Sequence, residues 1–301
     1  MVRRALHGVL LLDKPLGLSS NIALQKVKRL LNAEKAGHTG TLDPLASGLL
    51  PLCFGAATKF SQASLDADKR YAARLQLGVT TTTGDREGEI VDECAVALER
   101  AAIDAALARF VGPQDQRPPM HSALKHEGRA LYEYARAGIE VERATRRITI
   151  HAIDVLSWEG DMLALDVRCS KGTYIRTLAE EIGQVLGCGA HLAALRRTAS
   201  GAISVDDAIT LDALLELSEA EREHRLLPPD VLLADWPAWR LSADESARFL
   251  TGLRRRVDAP DCRAIRVYGP EARALLGSAH ITAGELIPDR LLSPVELESL
   301  L

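Results

Sequence analysis

The stretch Gly37-His38-Thr39-Gly40-Thr41-Leu42-Asp43-Pro44-Leu45-Ala46-Ser47-Gly48 packs glycines, a histidine and a carboxylate into one short segment. Glycine lets a backbone approach a ligand closely, and Pro44 biases the residue before it toward extended dihedrals. Such a loop can present Asp43 in a fixed pose. An Asp-Pro pair also forms Asx-turns, in which the side chain bonds its own backbone. The two readings differ in what the carboxylate faces. A single carboxylate serves as a nucleophile or a base, whereas a glycosidase needs a pair. The candidate for a second is Asp85, in Thr83-Gly84-Asp85. No H-E-x-x-H, G-x-S-x-G, P-loop or G-x-G-x-x-G pattern occurs, so metal-assisted hydrolysis, serine-type acyl transfer and nucleotide cofactors lose their usual sequence supports. A lone Asp among basic segments and a few aromatics suits a nucleophile or base acting on a nucleic acid whose target base is extruded.

The charge pattern agrees with a local nucleic-acid site. The chain of 301 residues carries a net charge of -4, which excludes a global basic field. Residues 1–60 nevertheless hold eight Lys/Arg against three acids, and residues 206–235 hold nine acids against two Arg. A near-neutral total thus conceals a basic region and an acidic one, which can equally be two solvated surfaces. A hydrophobic fraction of 47% with 26% charged residues describes an ordinary globular chain and excludes disorder. The five cysteines (Cys53, Cys94, Cys169, Cys188, Cys262) form no C-x-x-C and no zinc pattern, as expected for a reduced cytoplasmic protein. Asp13, Lys14 and Pro15 interrupt the apolar start, and no run approaches a membrane span, so neither a signal peptide nor membrane association is expected.

The elements that must position the loop follow from periodicity. Gly8 to Asp13 predicts a strand, and Ser19, Ser20 and Asn21 offer N-caps to a helix with Ile22, Val27, Leu30 and Leu31 on one side. Residues 33–59 carry glycines and prolines that read as loop around a short apolar stretch, Leu49 to Phe54. Tyr71, Ala73, Leu75, Leu77 and Val79 alternate as in a strand; helices are expected near 96–110 and 128–137. Strands over 146–153 and 163–169 lead to the turn Ser170-Lys171-Gly172-Thr173 and a helix bearing Ile175, Leu178, Ala179, Ile182 and Leu186, with Gly187 at its C-cap. An acidic helical segment covers 211–227, and Trp236-Pro237 precedes a capping box from Ser242 to Glu245. The expected architecture is α+β: a mixed or antiparallel sheet with flanking helices over residues 1–237, then a small β-rich module over 238–301.

The sequence resembles the bacterial tRNA pseudouridine synthase B (TruB) family. Leu11-Leu12-Asp13-Lys14-Pro15 with Gly17 resembles the family's first motif, and Gly37 through Lys59 its catalytic motif almost residue for residue. Lys69-Arg70-Tyr71, Gly84-Asp85, Pro118-Pro119 with Ser122-Ala123-Leu124-Lys125, Lys171 through Arg176, and Gly189 through Arg197 follow in the family's order. The resemblance implies a pseudouridine synthase catalytic domain with a PUA-like RNA-binding C-terminal domain. It implies an isomerase that flips the T-loop uridine of tRNA (position 55), breaks N1–C1′ and rejoins the base through C5, without cofactor or metal. By that similarity Asp43 is the catalytic carboxylate and Arg176 the arginine that holds it ionised and aimed. Tyr71 stacks on the flipped base, Tyr174 and Leu195 line the uracil pocket, Asp85 belongs to the substrate site and His38 contacts RNA near the target. Lys14, Lys59 and Lys125 are expected at phosphates. The expected partner is tRNA, through its T-arm and T-loop, bound by a monomer. His121 departs from the Tyr or Phe common in relatives. Two competing functions remain open to the same residues: a tRNA-folding helper that works without Asp43, and a glycosidase using Asp43 with Asp85.

Overall fold

The computed structural model describes residues 3–270 and 275–300. The first strand, β1 (Gly8–Lys14), is buried along almost its whole length, as its unbroken apolar run requires of a strand covered on both faces. Ser19 caps helix α1 (Ser20–Leu30) by accepting from the Ile22 N–H at 3.2 Å. That helix buries Ala23, Leu24 and Val27, and Leu31 follows on the same side. Ile22, expected on this face, is instead 50% exposed. It stands two positions from Leu24, and residues two apart point to opposite sides of a helix.

The region expected to be loop contains two strands, β2 (Ala36–His38) and β3 (Ala46–Phe54). Gly48 and Pro51, which suggest a break, have positional roles inside β3. Gly48 adopts φ +101°, and a Cβ there would lie 2.3 Å from the Arg197 carbonyl oxygen. Pro51 stands opposite Leu11 and offers its carbonyl to the Thr39 N–H at 3.1 Å.

The chain continues through α2 (Ser61–Asp66), β4 (Lys69–Leu77), a hairpin of β5 (Val79–Thr81) and β6 (Ile90–Glu93), α3 (Arg100–Ala108) and β7 (Gly112–Gln116). A short excursion holds β8 (Lys125–His126), β9 (Arg129–Ala130) and α4 (Leu131–Arg136). Then come β10 (Arg146–Glu159), β11 (Met162–Cys169), α5 (Ile175–Leu186) and β12 (Ala190–Ser200). Helix α3 starts later than its periodicity suggests, because the helical spacing continues back to Val96 in the extended chain before it, and α4 starts later because Arg129–Ala130 form β9. The acidic segment forms two short helices, Leu211–Glu216 and Glu219–His224. Ser218 and Glu221 form a capping box that starts the second and so interrupts the first.

One large sheet runs in the order 209–210, β1, β3, β12, β4, β11, β10, β7, with β2 paired to β3. The pairs β1 with 209–210 and β3 with β12 are parallel, and the others along this order are antiparallel. This is the mixed sheet with flanking helices expected of an α+β chain. The buried residues of α1, α3 and α5 join its principal core. A second, five-stranded sheet forms from Ala238–Arg240, Cys262–Tyr268, Leu275–Thr282, Glu285–Leu291 and Arg255–Arg256. The capping box at Ser242 and Glu245 opens its helix, Ala243–Leu250, as the spacing predicts.

Helix α5 lies so close to β12 that a Cβ on Gly183 would fall 2.2 Å from the Ala190 nitrogen. Alanine is the better helix former, but a backbone atom cannot swing aside as a side chain can. Gly183→Ala is therefore expected to destabilise the fold by about 1–3 kcal/mol, read as a lower denaturation midpoint. An unchanged midpoint would show that the helix can shift away without loss.

The two sheets share an apolar layer in which Val9, Leu11, Leu49 and Cys53 meet Tyr268, Leu275 and Leu292. Across this layer the Tyr268 hydroxyl donates to Asp230 Oδ2 at 2.7 Å. Burial first, and then the neighbouring carboxylate, push its pKa up to about 12. A raised folded pKa means stability that is complete below the unfolded value near 10 and is lost as pH rises through the folded one. The stability difference between wild type and Tyr268→Phe is expected to shrink between those two pH values, measured by denaturant unfolding. A difference constant across that window would contradict the hydrogen bond.

Candidate active site

The loop from Thr39 to Leu45 is fastened at several backbone points. Ser20, at the start of α1, accepts from the Leu42 N–H at 2.7 Å and donates to the Leu42 carbonyl at 3.0 Å. Pro44 accepts from the Gly17 N–H at 2.8 Å, and Asp43 accepts through its carbonyl from Ala46 at 3.0 Å. Gly40 takes φ +111°, in the region that favours glycine. These bonds leave the Asp43 side chain projecting half-exposed from an ordered turn.

Its carboxylate Oδ2 accepts a hydrogen bond from Arg176 Nη2. Arg176 lies in the first turn of α5 and is 6% exposed. That turn is positioned by buried Gln116, which accepts from the Tyr174 N–H at 2.8 Å and donates to the Tyr174 carbonyl at 3.1 Å. On its other side Arg176 Nε lies 3.1 Å from Asp85 Oδ2, an ion pair without the alignment of a hydrogen bond. Asp85 is 2% exposed. Its Oδ1 accepts from Thr83 Oγ1 at 2.6 Å and from the Glu87 N–H at 3.1 Å. One guanidinium thus links a buried carboxylate, itself anchored, to an accessible one. Such charge-assisted bonds orient as well as bind.

Asp43 and Arg176 stand between two hollows. The first, about 360 Å³, is bounded by Asp43, Tyr71, Tyr174, Arg176, Leu195 and Arg197. The second, about 550 Å³, also touches Asp43 and Arg176 and adds His38, Asp85, His121 and Tyr132. Ser122 and Ala123, from the excursion before β8, border both. Tyr71 is buried on β4, and burial pushes its hydroxyl pKa up while the Arg197 guanidinium opposes that shift. Burial likewise raises Tyr174, against the pull of Ser122 and Arg146. Burial, reinforced by Arg197, lowers the pKa of His38 and so favours its neutral form; its Nδ1 is buried and unpartnered.

The lysines expected at phosphates do not gather here. Lys14 is fully buried, and its Nζ donates to the carbonyls of Pro15 at 2.9 Å and Leu18 at 2.7 Å. Burial lowers it to about 8. It braces the turn after β1 and presents no surface to RNA, which corrects that expectation. Lys59 bonds the Leu291 carbonyl at 3.0 Å and Glu296 at 2.6 Å, so it ties the C-terminal segment to the turn that follows β3. Its side chain keeps about a third of its surface exposed, at 32%. Lys125 is exposed on β8, just beyond the first hollow's rim at Leu124. Sequence reasoning passed over Gln116 and Arg197, both buried at the site. Arg197 carried a usable signal, because it alternates with Leu195 and therefore shares its face of β12.

Comparison with known proteins places this geometry. Residues 28–175 match the model described as TruB family pseudouridylate synthase (N terminal domain), and residues 176–234 match that of the tRNA pseudouridylate synthase B C-terminal domain. A protein of Verminephrobacter eiseniae named tRNA pseudouridine synthase B is 57% identical, over 99% of this chain and 92% of its own. One of the same name from Cupriavidus pinatubonensis is 59% identical, over 96% of this chain and 95% of its own. Among solved structures, a chain of a Cbf5-Nop10-Gar1 complex superposes with TM-score 0.76 at 26% identity, covering 97% of this chain and 86% of that one. A further match, from an H/ACA RNP bound to a substrate RNA containing 2'-deoxyuridine, has TM-score 0.75 at 25% identity, over 96% of this chain and 86% of that one. With that identity over nearly its whole length, the chain belongs to the TruB family of pseudouridylate synthases.

Proposed function

We propose that this protein converts the T-loop uridine of tRNA to pseudouridine with Asp43 as the catalytic carboxylate. Membership of a pseudouridylate synthase family supplies the isomerase class. The observation that carries the residue assignment is the pairing of Asp43 with Arg176 on the wall of a hollow bounded by Tyr71, Tyr174 and Leu195. In this reading the uridine leaves its stack, enters that hollow and lies against Tyr71, a rigid π-face suited to stacking. Arg176 turns the carboxylate toward C1′. Cleavage of N1–C1′ leaves the bond pair on the base. Asp43 meets the electron-deficient sugar, either by bonding C1′ or by removing a sugar proton. The base rotates and C5 bonds to C1′ as the Asp43–C1′ bond breaks, or as Asp43 returns the sugar proton; C5 then loses its proton and N1 takes one from solvent. Nothing is oxidised or hydrolysed overall. His38, Asp85 and Tyr132 border the second hollow, beside the target, where neighbouring nucleotides of a folded loop can lie.

The assignment extends to the T-arm as recognition element, to a monomer acting in the cytoplasm, and to a PUA-like role for residues 238–301. The separate five-stranded sheet favours that division. Among the described residues no helix is long and apolar enough to cross a membrane. The test is tritium release from tRNA labelled at uridine C5, beside an isolated T-arm stem-loop carrying the same label. Stoichiometric release from both, with pseudouridine found in the digested product, is the expected result. Free uracil in place of pseudouridine would support a glycosidase, and release from tRNA but not from the stem-loop would remove the T-arm claim.

A further inference from the structure

Arg197 is among the largest fully buried side chains of the described residues, at 1% exposure. Its backbone on β12 pairs with Gly48 of β3 on one side and Tyr71 of β4 on the other. Its Nε donates to the Leu49 carbonyl at 2.7 Å, and its Nη2 to the Gly40 carbonyl at 3.3 Å. It therefore ties together the loop that carries Asp43, strand β3 and the strand that carries Tyr71. Most buried arginines face a carboxylate, because an unpaired interior charge is costly. Here the residue that stands directly opposite is Tyr71, its cross-strand partner on β4, and the interaction with the Tyr71 hydroxyl is what favours the charged guanidinium against burial. The other ionisable groups that feel it include two further basic side chains, Lys14 and Lys69. Lys69 is itself occupied with the carbonyls of Ser64, Leu65 and Ala67. A fold seeking stability alone has no use for such an excess of positive charge at this point. The excess lies beside the first hollow, where Tyr71 and Arg197 share the wall with Asp43.

We propose that Arg197 is a positioning residue of the isomerisation, acting through Tyr71 to fix the ring and to place positive charge behind the wall that meets the detached base. This rests on the isomerase reading above and adds a residue to it. Once N1–C1′ breaks, the base holds the bond pair and is anionic until C5 is joined. Tyr71 and Arg197 are opposed on adjacent strands and both line the hollow, so the guanidinium charge stands behind the ring that meets that anion. Fixed dipoles aimed where charge develops act most strongly in a dry, low-dielectric site. The same guanidinium holds the Gly40 carbonyl, so the stacking wall and the Asp43 loop keep a common register.

Single-turnover tritium release at saturating tRNA tests this, with Arg197→Met, Arg197→Lys, Tyr71→Phe and the Arg197→Met/Tyr71→Phe double variant. Filter retention and thermal melts accompany each. Arg197→Met is expected to slow the step by about tenfold to a hundredfold while tRNA binding holds. Tyr71→Phe is expected to lose a similar factor, the double variant no more than the worse single, and Arg197→Lys to recover part of the rate. A folded Arg197→Met with wild-type rate overturns the proposal, as do losses that multiply in the double variant. If Arg197→Met fails to melt cooperatively, Arg197→Lys with and without Tyr71→Phe carries the same comparison: shared losses support the coupling and multiplied losses overturn it. Wild-type protein that binds tRNA but releases no tritium overturns the isomerase reading itself, whatever the variants do.

Discussion

Asp43→Asn is expected to end pseudouridine formation while leaving tRNA binding intact. The amide has nearly the shape of the carboxylate, and its oxygen can still accept from Arg176 Nη2, the bond that now orients Asp43. The loop itself is held by backbone contacts from Ser20, Gly17 and Ala46, which the substitution does not touch. What disappears is the negative charge, and with it the lone pair that in the proposed reaction meets C1′ or a sugar proton. Removing the reacting group of a site whose members act as a unit lowers the rate by about a thousandfold or more. The measurement is tritium release from C5-labelled tRNA, with filter retention as the control for binding. A variant that retains tRNA yet works within about tenfold of wild type would remove Asp43 from the chemistry. A variant that loses both would assign the loop to recognition. The folding-helper reading makes the opposite forecast, since a protein that only opens the tRNA elbow has no need of this carboxylate.

The fold class was legible because the apolar periods are clear, and the mixed sheet agrees with them. Strand β3 was hidden for a physical reason. Gly48 and Pro51 break a strand pattern when read locally, yet Gly48 is demanded by the Arg197 backbone across the sheet. That constraint comes from residues far away in sequence. The Asp43 loop announces itself by composition, but its partner does not. Arg176 sits 133 positions away and reaches the loop only because Gln116 fixes the start of α5. Family resemblance was needed to pair them. The lysines show the converse limit. Lys14 and Lys59 carry the charge a phosphate wants, but charge does not say which way a side chain faces. One ends among carbonyls in the interior and the other on Glu296. Arg197 ends the stretch Gly189 through Arg197 and shares the face of Leu195, but alternation does not say that this face is buried, so the guanidinium drew no role.

In the proposed reaction Arg176 serves stability and catalysis with the same side chain, so its replacement is expected to damage both, and the two can be separated. Arg176→Ala leaves Asp85 at 2% exposure with Thr83 and Glu87 as hydrogen-bond donors but without its cation. Stranding one member of a buried ion pair costs about 3–5 kcal/mol. The denaturation midpoint should fall accordingly, and tritium release should fall by about a hundredfold or more, since Asp43 loses its aim. Arg176→Lys keeps a charge, but one ammonium on a single stem cannot span two carboxylates as a guanidinium does. It should recover much of the stability and little of the rate. The decisive variant is Arg176→Ala with Asp85→Asn. Neutralising the stranded carboxylate should restore most of the midpoint lost by Arg176→Ala and none of the turnover. If the rate returned with the stability, Arg176 would be serving the fold alone, and Asp43 would need no guide. If neither returned, Asp85 would not be the group that Arg176 stabilises, and the guanidinium bridge across the wall of the hollow would have to be redrawn.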